Sequence, residues 1–348
     1  MAGDSERLRT PSIRDVARVA DVSYQTVSRV LNQHPSIRPE TRQRVLDAMS
    51  QLRYRPNQAA RALVTSRSRT IGVVLGDRAE YGPSASIAAL EDAARDHGYW
   101  VNTVHVGDTR AETIRAAVDH LRSQAVEGII VHAPQVHVFE AFADLDLDVP
   151  YLGLHSATRG VVELAEDQVE AARIATEHLI GLGHVDIVHL AGPQDWIEAE
   201  SRMQGYLRAL SDADLMPHRP ILGDWSADFG YRAGVELSRL IDFTAVFAAN
   251  DAMAIGLMHG FRETGIDVPR RVSVVGFDDV PVAAHTWPPL TTVHQDFAGL
   301  GERAVRELMR LIEAEDAAGP EAGPVPAAAA PVLVVRESSA PALGRGRG

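Results

Sequence analysis

The sequence contains no cysteine, which excludes disulfides, thiol nucleophiles and thiolate zinc sites together. It contains no lysine either, so all 34 basic residues are arginine. A phosphate-cradling loop of the GKS or GKT type therefore cannot form, and no side-chain amine is present for Schiff-base chemistry. No apolar run approaches the roughly 18 residues of a membrane span. The opening MAGDSERLRT lacks the apolar stretch of an export signal. These absences lead us to expect a soluble, cytoplasmic protein.

What is present is 348 residues, 45% hydrophobic and 23% charged. At about 100–200 residues per domain this is a globular chain of two or three domains. The net charge of −13 is unevenly spread. Residues 1–69 carry 13 arginines against 6 acidic residues, whereas the remainder carries 21 against 41. A basic head on an acidic body points to nucleic acid at one end. Charge alone leaves open an ordinary basic surface.

Residues 12–52 read as three short helices. Ser12 to Asp15 fits a capping box, and Ile13, Val16, Ala17 and Ala20 then form one apolar face. Asp21-Val22-Ser23 reads as a tight turn, with Ser23 the cap of a second helix from Tyr24 to Leu31. Pro39 suits the first position of a third helix ending near Tyr54. Residues 54–69 read as a linker with a short helix from Asn57 to Val64, too short to stand alone in water. From Thr70 onward strands and helices alternate in two sets, the pattern of parallel sheets with helices on both faces. The fold class is thus α/β with an all-helical head.

The helix pair at 13–31 has helix-turn-helix spacing. If it binds DNA, Tyr24, Gln25, Ser28 and Arg29 of the second helix meet base edges in the major groove. Gln25 and Arg29, four apart, share a face; glutamine can pair with adenine and arginine with guanine. Ser23, Thr26, Asn32, Thr41 and Tyr54 are candidates for phosphate oxygens.

An enzyme reading finds little. Asp278 and Asp279 are adjacent, so at a strand end they point to opposite sides and cannot flank one bond. The 14 histidines show no H-E-x-x-H spacing, and no G-x-S-x-G elbow appears. His132 and His137 fall near a strand end and read as loop residues. No catalytic, metal or cofactor site is expected.

SIRDVARVADVSYQTVSRVLNQ, from residue 12, resembles the DNA-binding head of the LacI/GalR family of transcriptional regulators. YRPNQAARAL resembles that family's hinge helix. LAGP, GDWSA, the AND-MA-G run at 249–256, VVGFDD and PPLTTVHQDF resemble its sugar-binding core, and LVVRESS its closing strand. These segments span 12–339 in family order. The resemblance implies a helix-turn-helix head at 1–53, a hinge at 54–69 and a two-lobed core of periplasmic-binding-protein type at 70–340. Lobe one is expected at 70–163 plus 293–318, lobe two at 164–290 plus 330–340, and a disordered tail at 341–348. It places Asn57, Ala60 and Leu63 in the minor groove, with Leu63 the side chain that unstacks a base step. It places His155, Arg202, Trp225, Asn250, Asp278, Gln295 and Phe297 on a sugar.

The implied function is a homodimeric repressor, released from a palindromic operator when a small sugar, galactoside-like as the best match, binds the core. Two alternatives stay open: an exported-type sugar-binding protein without a DNA role, and a corepressor-dependent regulator of purine or sugar-phosphate response. The sequence departs from the family pattern at His155, Glu198 and Glu200. Asp21 stands where glycine is usual, in a turn whose left-handed conformation aspartate tolerates. The leucine heptads of the family's tetramers have no counterpart here.

Overall fold

The computed structural model describes residues 11–31, 36–54, 67–76, 81–108, 110–133, 135, 138, 141–142, 145, 147–154, 163–164, 167–240, 242–315 and 328–343. The chain divides into two compact units, Met1–Ser68 and Arg69–Gly348.

The first unit is a helical head of α1 (Ile13–Val19), α2 (Tyr24–Leu31) and α3 (Pro39–Gln51). Ser12 and Asp15 form a reciprocal capping box. The Ser12 N–H donates to Asp15 Oδ2 at 2.9 Å, and Ser12 Oγ accepts from the Asp15 N–H at 3.4 Å. Two orphan donors of α1 are met in this way. Asp21 turns the chain with φ of 51°, the left-handed conformation expected of it. The turn is short enough for α1 and α2 to close on Val16, Ala17, Ala20, Val27 and Val30, with Val45 and Ala48 of α3 completing the core. Apolar positions at helical spacing thus bury one face of each helix and leave the other in water.

The second unit holds two sheets. The first has the order β2-β1-β3-β4-β5: β1 (Thr70–Leu75), β2 (Trp100–His105), β3 (Gly128–His132), β4 (Tyr151–Leu154) and β5 (Glu163–Leu164), all parallel. Helices α4 (Tyr81–Asp96) and α5 (Ala111–Ser123) accompany it. The second sheet runs β11-β10-β9-β8-β6-β7. Its strands are β6 (Ile187–Ala191), β7 (Ile221–Leu222), β8 (Ala245–Ala248), β9 (Ser273–Asp278), β10 (Thr291–His294) and β11 (Val332–Val334), with only β11 antiparallel. Its helices are α6 (Gln168–Gly181), α7 (Ile197–Asp212), α8 (Ala227–Leu237) and α9 (Asp251–Glu263). The inner strands read as continuous apolar runs because both faces are covered.

The chain crosses between lobes three times. It enters the second lobe between β5 and α6 and leaves it after β10. Helix α10 (Phe297–Glu315) then packs on the first lobe, its Leu300, Ala304, Val305 and Leu308 joining the β1 and α4 core. β11 finally returns to the second sheet.

Two expected boundaries are corrected. Val293 and His294 belong to the second lobe, because β10 pairs with β9 along Thr291–His294; the first-lobe segment starts only after Gln295. Residues 341–343 run along the surface of the second lobe rather than as a loose tail, since the Ala342 N–H donates to the Leu182 carbonyl at 2.8 Å while Pro341 and Leu343 stay exposed. Strand β7 is confined to Ile221–Leu222, because the chain then turns sharply to bring Trp225 inward. Among the described residues no helix is long and apolar enough to cross a membrane.

Candidate functional site

On the head, α2 buries Val27 and Val30 and exposes the opposite face. Tyr24, Gln25 and Arg29 lie on that exposed face, with Ser28 half-buried beside them. Ser23 caps the helix: its Oγ accepts from the Thr26 N–H at 3.1 Å and lies 2.9 Å from Thr26 Oγ1. Thr41 is half-buried near the start of α3. Tyr54 packs on the head core, and burial pushes its hydroxyl pKa up. Asn32, Asn57, Ala60, Leu63 and His155 lie outside the described residues.

The core holds a cleft between the lobes, and Arg202, Trp225, Asn250, Asp278, Gln295 and Phe297 all line it. Asn250 and Asp278 reach it from the carboxyl ends of β8 and β9, where open α/β sheets gather ligands. The first-lobe wall, which the sequence left unassigned, consists of Tyr81, Gly82, Pro83 and Ser86 at the start of α4 and of His132. His132, expected in a loop, is the buried last residue of β3 and faces the cleft. Ile87, on the same helix, packs against the first-lobe core. Tyr81 and Phe297 meet edge-to-face at 5.9 Å.

Trp225 has φ of 67°, unusual for a bulky residue and so a marker of local constraint. Asn250 holds that conformation: its Nδ2 donates to the Trp225 carbonyl at 3.0 Å, while its Oδ1 caps α9 through the Met253 N–H at 2.9 Å. The indole packs directly against Gly192, where a Cβ would stand 2.2 Å from the ring. Trp196, which precedes α7, meets it edge-on at 5.4 Å. Trp196 also forms a backbone bridge with Gln135, joining the lobes beside the cleft.

The adjacent carboxylates take separate partners. Asp279 pairs with Arg336 at 2.6 Å and His294 at 3.1 Å, away from the cleft. Asp278 faces inward with φ of 111°. Buried Asp251 braces this turn by accepting from the Val280 N–H at 2.9 Å and from Thr292 Oγ1 at 2.6 Å. Burial, with the nearby Asp278 charge, pushes Asp251 up to about 8.

A closed ring of polar side chains forms the cleft floor. Arg202 Nε donates to Gln168 Oε1 at 2.9 Å, Gln168 Nε2 to Gln295 Oε1 at 2.8 Å, and Gln295 Nε2 to Asp278 Oδ1 at 2.7 Å. Arg202 Nη2 closes it at 3.7 Å from Asp278. Arginine only donates and an ionised carboxylate only accepts, so both amide orientations are dictated by the two ends. Gln168 opens α6 just after one lobe crossing, and Gln295 sits in the next. Gln168 carried no sequence signal: its partners lie 34 and 127 residues away. Gln168→Leu leaves the Arg202 donor and the Gln295 acceptor buried and unmet, at about 1–3 kcal/mol each. The expected loss of about 2–4 kcal/mol is read as a lower urea midpoint. A midpoint within error of the native chain counts against the ring.

Arg202 is also held by the Ala249 carbonyl and by the Phe277 ring, 3.9 Å from centroid to guanidinium carbon. Glu198, one turn earlier on α7, is buried in the lining, and burial pushes its carboxyl up to about 7. Among the described residues no group of three or more histidines and carboxylates is placed to hold a metal. The site offers planar polar groups and aromatic faces around a small cleft, which suits a ligand rich in hydroxyls.

The fold and the two sites define a two-part regulator: a helix-turn-helix head joined to a ligand-sensing, two-lobed core. Residues 12–57 match the bacterial regulatory proteins of the lacI family, and residues 176–339 match the periplasmic binding protein-like domain. The chain belongs to the lacI family of bacterial regulatory proteins. It is 35% identical over 322 residues to the lactose operon repressor of Escherichia coli strain K12, covering 91% of this chain and 89% of that one. It is 36% identical to the transcriptional regulator GalS of Salmonella typhimurium, covering 84% and 87%. The crystal structure of the lac repressor dimer bound to operator and the anti-inducer ONPF superposes with a TM-score of 0.82 at 33% identity, covering 95% of this chain and all of that one.

Proposed function

We propose that this protein is a homodimeric, cytoplasmic transcriptional repressor that leaves a palindromic operator when a small sugar fills the core cleft. It carries out no catalysis and uses no cofactor. The observation that carries the reading is the convergence of Arg202, Trp225, Asn250, Asp278, Gln295 and Phe297 on one cleft, in a chain whose other unit is a capped helix-turn-helix head. The head takes residues up to about 53, the hinge 54–69 and the core the rest. Tyr24, Gln25, Ser28 and Arg29 read bases; Ser23, Thr26, Asn32, Thr41 and Tyr54 take phosphates; Asn57, Ala60 and Leu63 enter the minor groove. His155 joins the cleft residues on the sugar, for which a galactoside is the first choice.

Twin heads related by two-fold symmetry require a symmetric site, with half-sites about one helical turn apart or a multiple of it. Sugar binding and operator binding oppose each other by one coupling free energy, so operator weakens sugar binding by the same factor. The test is reciprocal titration of the full chain with a palindromic duplex and a panel of hexosides. Binding to palindrome and random duplex with equal affinity at physiological salt sinks the operator reading. Equal sugar affinity with and without operator sinks the inducer reading.

Arg29→Ala is expected to cost about 1–3 kcal/mol of operator affinity and to relax preference at one base position per half-site. Competition among operators substituted one position at a time measures this. A uniform loss at every position would make Arg29 a phosphate contact instead.

A further inference from the structure

We infer that Glu198 is a specificity-determining residue of the cleft, one that accepts hydroxyl protons of an uncharged sugar and turns away a phosphorylated one. The inference rests on the proposed role of the cleft as effector site and adds the charge class of the effector. Glu198 lies in the first turn of α7, four residues before Arg202 and thus on the same helix face. Both line the cleft, and both are buried. The guanidinium is already committed to Gln168, to the Ala249 carbonyl and toward Asp278. An incoming anion would therefore meet two carboxyl groups, Glu198 and Asp278, and one arginine whose Nε and Nη1 already donate to protein acceptors and whose Nη2 lies toward Asp278. In a buried site like charges repel far more strongly than in water. A sugar hydroxyl instead gains a charge-assisted hydrogen bond from the same carboxylate.

The other charged and titratable groups facing Glu198 across the cleft are Arg202 on its own helix, Asp278 at the end of β9, and His132 and Tyr81 on the first-lobe wall. Burial holds the Glu198 carboxyl up at about 7, so near neutrality part of the population is protonated. A hydroxyl donor binds the ionised form, and the bound sugar thus favours proton release. Affinity then rises with pH. The ionised fraction climbs from about 9% one unit below the pKa to about 91% one unit above, a gain of up to about tenfold between pH 6 and pH 8. Substitution of Glu198 separates this from any titration of His132.

The test measures binding to the full chain, by calorimetry at pH 6 and pH 8, of methyl β-D-galactoside, methyl β-D-glucoside, galactose 6-phosphate and glucose 6-phosphate. The expected result is that the better-bound methyl glycoside exceeds both phosphates by about 30-fold or more. Its affinity should rise about tenfold from pH 6 to pH 8. In Glu198→Gln the pH dependence flattens and the gap to the phosphates narrows several-fold. A phosphate bound as tightly as the better-bound glycoside by the native chain overturns the inference without recourse to a variant. So does a native affinity that is flat with pH, or a slope unchanged in Glu198→Gln. If none of the four binds while operator binding is intact, the hexose-effector reading itself fails, and Glu198 falls with it.

Discussion

Trp225→Ala is expected to raise the sugar concentration needed for release from operator about 30-fold or more while leaving operator binding without sugar unchanged. The indole is a buried aromatic surface of the second-lobe wall and packs directly against Gly192. Its Nε1 is buried with no hydrogen-bond partner among the described residues, at the edge of a cleft that suits hydroxyls. A buried donor left unmet costs about 1–3 kcal/mol, and a ligand oxygen would recover it. Removing an aromatic anchor from a buried pocket costs about 2 kcal/mol or more of binding, which is about 30-fold in affinity. Trp225→Phe keeps a ring on Gly192 but loses the donor, and should weaken binding about three- to tenfold. Sugar titration of all three proteins, followed by operator release, orders them native, Phe, Ala. If the alanine variant releases operator at the native sugar concentration, the indole does not touch the effector.

The second large effect concerns a helix contact rather than a ligand. Helices α8 and α9 each carry two glycines four apart, Gly230 and Gly234 on one, Gly256 and Gly260 on the other. A Cβ at Gly256 would stand 1.9 Å from the Ala227 carbonyl oxygen, and one at Gly230 would stand 2.1 Å from that of Met253. These are backbone atoms and cannot rotate aside. Gly256→Ala must push the helices apart, at about 3 kcal/mol or more. The same shift reaches the cleft, because Asn250 caps α9 and Ser226, next to Trp225, caps α8. Both the urea midpoint and sugar affinity are expected to fall. Gly181 is the control. It closes α6 with nothing within 4 Å of a built Cβ, so Gly181→Ala should gain about 0.5–1 kcal/mol from restricted backbone freedom. Equal behaviour of the two substitutions would mean that α8 and α9 do not pack backbone to backbone.

The glycine pairs illustrate what a linear reading misses. In the sequence, glycine every fourth residue of a helix looks like a weak helix. Only the partner helix explains the spacing. The cleft repeats the lesson. Asn250 and Asp278 are implied by the family resemblance, and each follows an apolar run whose carboxyl end is a local property. Tyr81, Trp196 and Gln168 follow no such rule. They matter because the chain crosses between lobes and brings residues 81, 168, 196 and 295 together. His132 was misread for the same reason: its strand is visible in the sequence, but the lobe it faces is not.

The sequence by itself determined the helical head, down to the Ser12–Asp15 cap and the left-handed turn at Asp21, and the alternation that makes two parallel sheets. Those features depend on periodicity and on hydrogen bonds spanning three or four residues, so near neighbours suffice to specify them. Tertiary structure alone decided that β10 belongs to the second lobe, that Gln168 closes the ring beneath Arg202, and that Glu198 is buried beside it. Each depends on long-range packing, where burial and partner identity are set by segments far away in the chain.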